Sequence, residues 1–236
     1  MTEAAVGPDY VDALRRRDQL ALLLLDLGDY RAARAESERV VQRGEQALGP
    51  DHPDIADWRN NLGGVLREQG DLVGARTQYE VSLQIGEEAL GPDHPEIATM
   101  RSNFGLVLLD LGDLARARAQ CERALQISEQ TLGPNHPDVG ESRNNLGCVL
   151  REQGDLVGAR TQYERSLQIS EQALRPDHPV VGISRYNLGI VLRELRDLAG
   201  ARTQFESALQ ISEQALGPDH VQTREIRQLL DGLPPL

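Results

Sequence analysis

The sequence predicts an all-α chain, an α-solenoid of antiparallel helix-turn-helix units, and three observations carry that prediction. The pentapeptide GPDHP stands at Gly49 to Pro53 and at Gly91 to Pro95, then returns as GPNHP from Gly133, RPDHP from Arg175 and GPDHV from Gly217, always 42 residues on. A fixed period of 20 to 50 residues marks stacked repeats rather than a closed globule. Residues 65–80 and 149–164 are the same sixteen letters, VLREQGDLVGARTQYE, which points to duplication of a unit. Finally, hydrophobic residues make up 39% of the chain but aromatics only 3%. That mixture suits many thin layers of Leu, Ala, Val and Ile between helices.

Stepping the register back by 42 reaches Gly7 in GPDYV, so one domain over 1–236 is expected, with repeats at about 7–48, 49–90, 91–132, 133–174 and 175–216 and a cap at 217–232. In the unit 49–90, Pro53 opens a helix, because its fixed φ suits the first turn and its missing N–H has no partner there anyway. His52 before it is pushed toward extended backbone. Ile55, Leu62, Gly63 and Leu66 then form a helical stripe until Gly70 and Asp71 break it. Asp71 is a good N-cap for a second helix, whose stripe is Leu72, Ala75, Tyr79, Ser82, Leu83 and Leu90. Gly63, Gly105, Gly147 and Gly189 are expected to face Ala75, Ala117, Ala159 and Ala201, bringing the two backbones close. Gln222 to Leu230 offers one further capping helix before Gly232 and the tail LPPL stop it.

The run NNLGGVLREQGDLVGARTQYEVSL, residues 60–83, resembles a tetratricopeptide repeat in its Leu-Gly pair, its Gly-Asp turn and its small residues Ala75 and Ser82. The 42-residue period and the LGPDHP connector resemble the longer subclass found in kinesin light chains and in repeat modules attached to signalling NTPases. The resemblance extends over nearly the whole chain. It implies a right-handed superhelix acting as a protein or peptide adaptor, with the first helix of each unit on the concave side. Arg59 departs from the pattern, which has an aromatic or large apolar residue there.

Charge and composition exclude several functions. The chain has no lysine, and 37 acids against 25 basic residues leave a net charge of −12. Schiff-base chemistry and the GK[ST] phosphate loop both need a lysine. Nucleic acid and anionic membranes are poor partners for so acidic a protein. Cys121 and Cys148 cannot make a disulfide scaffold or a Cys-ligated zinc site. No apolar run approaches the ~20 residues of a membrane span, and MTEAAVGPDY lacks a basic region followed by an apolar one, so a cytoplasmic protein is expected. His52, His94, His136, His178 and His220 share one connector position. Successive copies lie too far apart for one metal ion, and turn or cap hydrogen bonds are their expected role. There is no G-x-S-x-G and no H-E-x-x-H; Cys121 occupies the core slot of Tyr79, Tyr163 and Phe205, and Cys148 lies on another face. No enzyme activity, catalytic residue, metal or cofactor is expected.

The informative polar feature is a ladder of asparagines. At about 100° per residue, Asp57, Gly64 and Glu68 lie within about 60° of Asn61 on one strip of the first helix, while Ala56, Leu62, Gly63 and Leu66 face away. Repetition gives Asn61, Asn103, Asn145 and Asn187, with Glu68, Asp110, Glu152 and Glu194 beside them. These eight are the candidate peptide-binding residues. In proteins similar to this one, asparagines at that place hold the main chain of a bound peptide. A carboxamide offers both donors and an acceptor, so it pairs with a peptide unit whatever the side chains. The alternative is that the asparagines bond to adjacent helices and fix the repeat spacing. Variable neighbours, Asp57, Thr99, Glu141 and Ile183, and Gly64, Leu106, Cys148 and Ile190, drift toward apolar along the chain, so apolar anchors are expected in the C-terminal half. Arg67, Arg151 and Arg193 flank the strip, but the carboxylate clamp of chaperone-binding relatives relies on lysine and is not expected. A second ladder, Arg17, Arg59, Arg101, Arg143, Arg185 and Arg227, falls on the buried stripe and needs acids: Glu38, Glu80, Glu122, Glu164 and Glu206 within the hairpin, or alternatively Glu45, Glu87, Glu129, Glu171 and Glu213 from the preceding helix. The resulting expectation is a monomeric, non-enzymatic scaffold for an extended peptide or partner segment. A self-assembly module, or a peptide-responsive regulator cut from a larger signalling protein, is the alternative.

Overall fold

A computed structural model describes residues 8–234. The expected start of the register at Gly7 and the last two tail residues, Pro235 and Leu236, lie outside the described residues. Among the described residues there are eleven α-helices and no strand, in two compact units, Met1–Ile127 and Ser128–Leu236.

The first unit holds α1 (Pro8–Asp26), α2 (Tyr30–Leu48), α3 (Pro53–Glu68), α4 (Leu72–Leu90), α5 (Pro95–Asp110) and α6 (Leu114–Leu132) as far as Ile127. The second holds the rest of α6, then α7 (Pro137–Glu152), α8 (Leu156–Ala173), α9 (Pro179–Glu194), α10 (Leu198–Leu216) and α11 (Val221–Asp231). In each unit a helix packs on its sequence neighbours, and odd-numbered helices also meet one another: α1 with α3, α3 with α5, and α7 with α9. Each unit is a stack of hairpins.

The repeated letters set the helix ends. His52 Nδ1 accepts from the Asp54 N–H at 3.2 Å, and His94, His136, His178 and His220 do the same for Glu96, Asp138, Val180 and Gln222. The histidines are therefore N-caps, each satisfying a backbone donor that the first helical turn leaves open. At the hairpin turn the Asp71 carboxylate accepts from the Gly74 N–H at 3.0 Å, as Asp29, Asp113, Asp155 and Asp197 do in their own turns. The residue before each aspartate is left-handed: Gly28, Gly70, Gly112 and Gly154 at φ 77 to 81, and Arg196 at φ 67 in the last hairpin. Only glycine adopts that conformation without a steric cost.

Packing corrects one expectation. Gly63 faces Tyr79 rather than Ala75: a Cβ on Gly63 would stand 2.9 Å from the Tyr79 ring. Gly147 and Gly189 would meet Tyr163 and Phe205 at 2.7 Å, and Gly105 would meet Cys121 Sγ at 2.6 Å; at Gly105 the expected partner also comes close, with the Ala117 carbonyl oxygen at 3.4 Å. Helical side chains lean toward their own N-terminus, so the ring of Tyr79 swings back toward the turn and comes level with Gly63. The glycine is a seat for a ring, and a purely small-against-small contact does not describe the hairpin.

Successive hairpins join by balanced volumes. A Cβ on Gly44 would overlap the buried Trp58, and one on Gly86 would stand 2.8 Å from Met100 Sδ. At two later junctions serine meets serine: Ser128 and Ser142 are buried with their hydroxyls 3.3 Å apart, and Ser170 and Ser184 are both buried; at the last, Ser212 meets Thr223 at 2.7 Å.

Candidate functional site

The first helices α3, α5, α7 and α9 carry the asparagine ladder. Three of its carboxamides donate to the preceding first helix of their own unit: Asn61 Nδ2 to Asp18 Oδ2 at 2.7 Å, Asn103 Nδ2 to Asn60 Oδ1 at 3.1 Å, and Asn187 Nδ2 to Asn144 Oδ1 at 2.8 Å. Each is half-buried and keeps its own oxygen and one N–H for other partners. Asn145 differs. It is only 7% exposed, no hydrogen bond ties its carboxamide to the described residues of its own unit, and its polar atoms are not among those sealed from solvent. Beside the ladder, Glu68, Asp110, Glu152 and Glu194 are exposed. Asp110 accepts from Arg67 Nε at 2.5 Å and Glu152 from Arg151 at 2.6 Å.

The arginine ladder takes its acids from the preceding helix. Arg59, Arg101 and Arg143 pair with Glu45, Glu87 and Glu129; Arg185 reaches Glu171 at 2.5 Å and Arg227 reaches Glu213 at 2.6 Å. The expected intra-repeat glutamates are corrected, for Glu80 meets Arg116 at 2.9 Å and Glu38, Glu122 and Glu164 pair with Arg34, Arg118 and Arg160. Inside the hairpin the guanidinium donates instead to a glutamine, Gln78, Gln120, Gln162 or Gln204, at 2.6 to 2.9 Å. The position two residues before the glutamate projects under the arginine, while the glutamate turns outward to solvent. Arg17 is the exception and pairs with Glu36 at 3.0 Å. From Arg59 to Arg185, each arginine thus fastens three helices.

Each unit has an open cleft between consecutive first helices. In the first unit it measures about 370 Å³, between α1 and α3, and is lined by Arg15, Asp18, Asp54, Asp57, Trp58 and Asn61 among others. Arg15 neutralises Asp54 at 2.9 Å. Asp18 is 8% exposed and its Oδ1 lacks a partner. Burial pushes its carboxyl up to about 6, with the Asn61 hydrogen bond opposing and the Asp57 charge adding. Asp57 also rises to about 6, through burial and then repulsion from Glu96 and Asp54.

In the second unit the cleft measures about 490 Å³ and lies among α7, α8 and α9. Asn145, Ser166, Ser170 and Ser184 line it and are buried, and Leu174, Val180 and Ile183 also face it. Asp138 and Glu141 stand on the α7 side, where burial and the charge of Asp138 raise the Glu141 carboxyl above its ordinary range. Sequence reasoning placed Glu141, Asn145 and Ile183 here. It missed Val180, although the signal was present: the same position is acidic in the earlier repeats, as Asp54, Glu96 and Asp138. It also missed Trp58 and Asp18, whose burial depends on neighbouring helices.

Among the described residues no group of His, Cys, Asp and Glu could hold a metal ion, and no helix is long and apolar enough to cross a membrane. Stacked 42-residue hairpins with open clefts between their first helices define a helical-repeat protein, a class that generally serves as a protein-interaction scaffold. A tetratricopeptide repeat profile matches residues 10–88, 59–120, 96–172 and 149–214. The chain belongs to the tetratricopeptide repeat family. None of the curated proteins matches it in sequence. Among solved structures it is similar to a Podosopora anserina protein described as a kinesin light chain with nearly identical TPR-like repeats, at 21% identity and a TM-score of 0.70, over 87% of this chain and 98% of that one. BtubC (BKLC) from P. vanneervenii follows at 24% identity and 0.68, over 97% and 85%. The apo form of RapI gives 14% and 0.73, over 94% and 78%. At these identities the likeness shows the fold alone.

Proposed function

We propose that this protein is a non-enzymatic scaffold, monomeric and cytoplasmic, that binds an extended peptide or partner segment along the first helices. The strip Asn61, Asn103, Asn145 and Asn187, with Glu68, Asp110, Glu152 and Glu194 beside it, is the contact surface. Asn145 carries the reading: a residue only 7% exposed whose carboxamide is not hydrogen-bonded within its own unit, in the wall of a cleft of about 490 Å³. A peptide main chain would supply an acceptor and a donor in place of the water that reaches this carboxamide. Asn61, Asn103 and Asn187 use one N–H to hold the preceding helix and offer the peptide their remaining oxygen and N–H.

The test is affinity for peptides selected from a random display library on the whole chain, measured against Asn145→Ala. A loss of tenfold or more with an unchanged fold by circular dichroism is expected. Equal binding would remove the strip as the contact surface.

A further inference from the structure

Resting on that reading, we infer that the cleft of the second unit selects one partner chemistry: a segment with an aliphatic side chain and a lysine or arginine next to it, the aliphatic group on Val180 and Ile183 and the cation at Glu141. Comparison of the two clefts leads to this assignment. Position for position, Asp54, Asp138 and Val180 are equivalent, as are Asp57, Glu141 and Ile183. The first-unit cleft therefore presents Asp54 and Asp57 where α9 presents Val180 and Ile183. The earlier units carry Asp54, Glu96 and Asp138 at the first place and Asp57, Thr99 and Glu141 at the second, and only α9 has branched apolar residues at both.

These two side chains are 44% and 43% exposed. They line the cleft together with Leu174, so this wall is apolar. Single exposed apolar residues are ordinary on protein surfaces. Two that converge with the half-buried Leu174 on a concavity backed by Asn145, 7% exposed and not hydrogen-bonded within its unit, are a built recess. Burying one leucine-sized side chain there accounts for roughly ten- to hundredfold in affinity.

The opposite wall sets the charge of the neighbour. Glu141 has no ion-pair partner among the described residues, and Asp138 has only the Nδ1 of its own cap His136, at 3.6 Å. Three arginines of α7 and α9 are engaged elsewhere: Arg143 with Glu129, Arg151 with Glu152, and Arg185 with Glu171. Burial and Asp138 both disfavour the charged form of Glu141. A cation brought by the partner is the complement this wall lacks, whereas an acidic neighbour would meet two carboxylates. The net charge of −12 adds long-range attraction for basic segments.

The experiment selects a random twelve-residue phage-display library on the whole chain, then on Asn145→Ala, Ile183→Glu and Glu141→Arg. Ile183 and Glu141 stand at the open side of the cleft with solvent-accessible side chains, and thermal melting checks that these variants fold as the parent does. Clones lost on Asn145→Ala and on Ile183→Glu, enriched in an aliphatic residue adjacent to Lys or Arg, are the expected result. On Glu141→Arg the preference should turn toward an aliphatic residue adjacent to Asp or Glu. Clones that depend on Asn145 but lack the aliphatic-basic pair overturn this inference and leave the scaffold reading in place. Clones indifferent to all three variants, or no clones at all, overturn both.

Discussion

Asp18→Asn should make the protein more stable at neutral pH and leave it nearly unchanged in mild acid. Asp18 occupies the place held by Asn60 and Asn144 in other repeats, and its Oδ2 accepts from Asn61 as theirs accept from Asn103 and Asn187. The substitution preserves that acceptor and removes a buried charge whose second oxygen has no partner. A rise of the carboxyl from 3.8 to about 6 on folding corresponds to about 3 kcal/mol of preference for the neutral form. Residual hydration at the cleft mouth reduces the realised gain to about 1–3 kcal/mol. The sign follows from proton counting. Between pH 4 and pH 6 the folded state binds more protons than the unfolded chain, so the parent loses stability as pH rises through that window. The penalty is complete above pH 7 and falls to about 0.5 kcal/mol at pH 4. Urea unfolding of parent and variant at pH 7.5 and pH 4.0 reads both values. A variant no more stable at pH 7.5, or one whose gain is the same at both pH values, would refute the reasoning.

Other expectations follow from the turns, the ring seats and the arginine ladder. Arg196→Gly removes a left-handed non-glycine residue at φ 67. The relief of about 1–2 kcal/mol, less the extra freedom glycine has when unfolded, leaves a gain of about 0.5–1 kcal/mol in chemical denaturation. Gly147→Ala puts a methyl 2.7 Å from the buried Tyr163 ring and should lose about 1–3 kcal/mol by thermal melting; a neutral result would mean the ring has room to move. Arg143→Met removes the links to Glu129 and Gln162 together with an unpartnered buried Nε. Glu129 is still 35% exposed and can be hydrated, so the expected loss is about 1 kcal/mol or less. A loss above about 3 kcal/mol would show that the glutamate cannot reach water.

Helix identity and helix ends were legible because they depend on residues close in sequence. The His-Pro connector and the Gly-Asp turn set the caps of each helix through bonds two or three residues long. Contacts between helices were legible only in part. The arginine ladder was seen to need acids, but angular position on one helix does not say whether Gln78 or Glu80 turns inward on the next, and Glu45 rather than Glu80 takes the charge. Gly63 was seen to permit close approach, but the lean of Tyr79 toward its own N-terminus decides what fills the space. At the candidate site, the asparagine ladder was visible as a repeat. The deep burial of Asn145 beside its half-buried copies was not, because burial depends on the side chains packed around it. Val180 required no coordinates, only attention to a broken acidic pattern.

The volume matching at the hairpin junctions bears on how such a chain can vary in length. A recombination within the run shared by residues 65–80 and 149–164 would join residue 80 to residue 165 and excise two repeats. The shortened chain would still set Gly44 against Trp58 and Ser170 against Ser184, and Asn187 would find Asn60 where it now finds Asn144. No mismatched seam arises. The reciprocal product, two repeats longer, is equally well fitted, so descendants of this gene can lengthen or shorten by pairs of repeats without any compensating substitution.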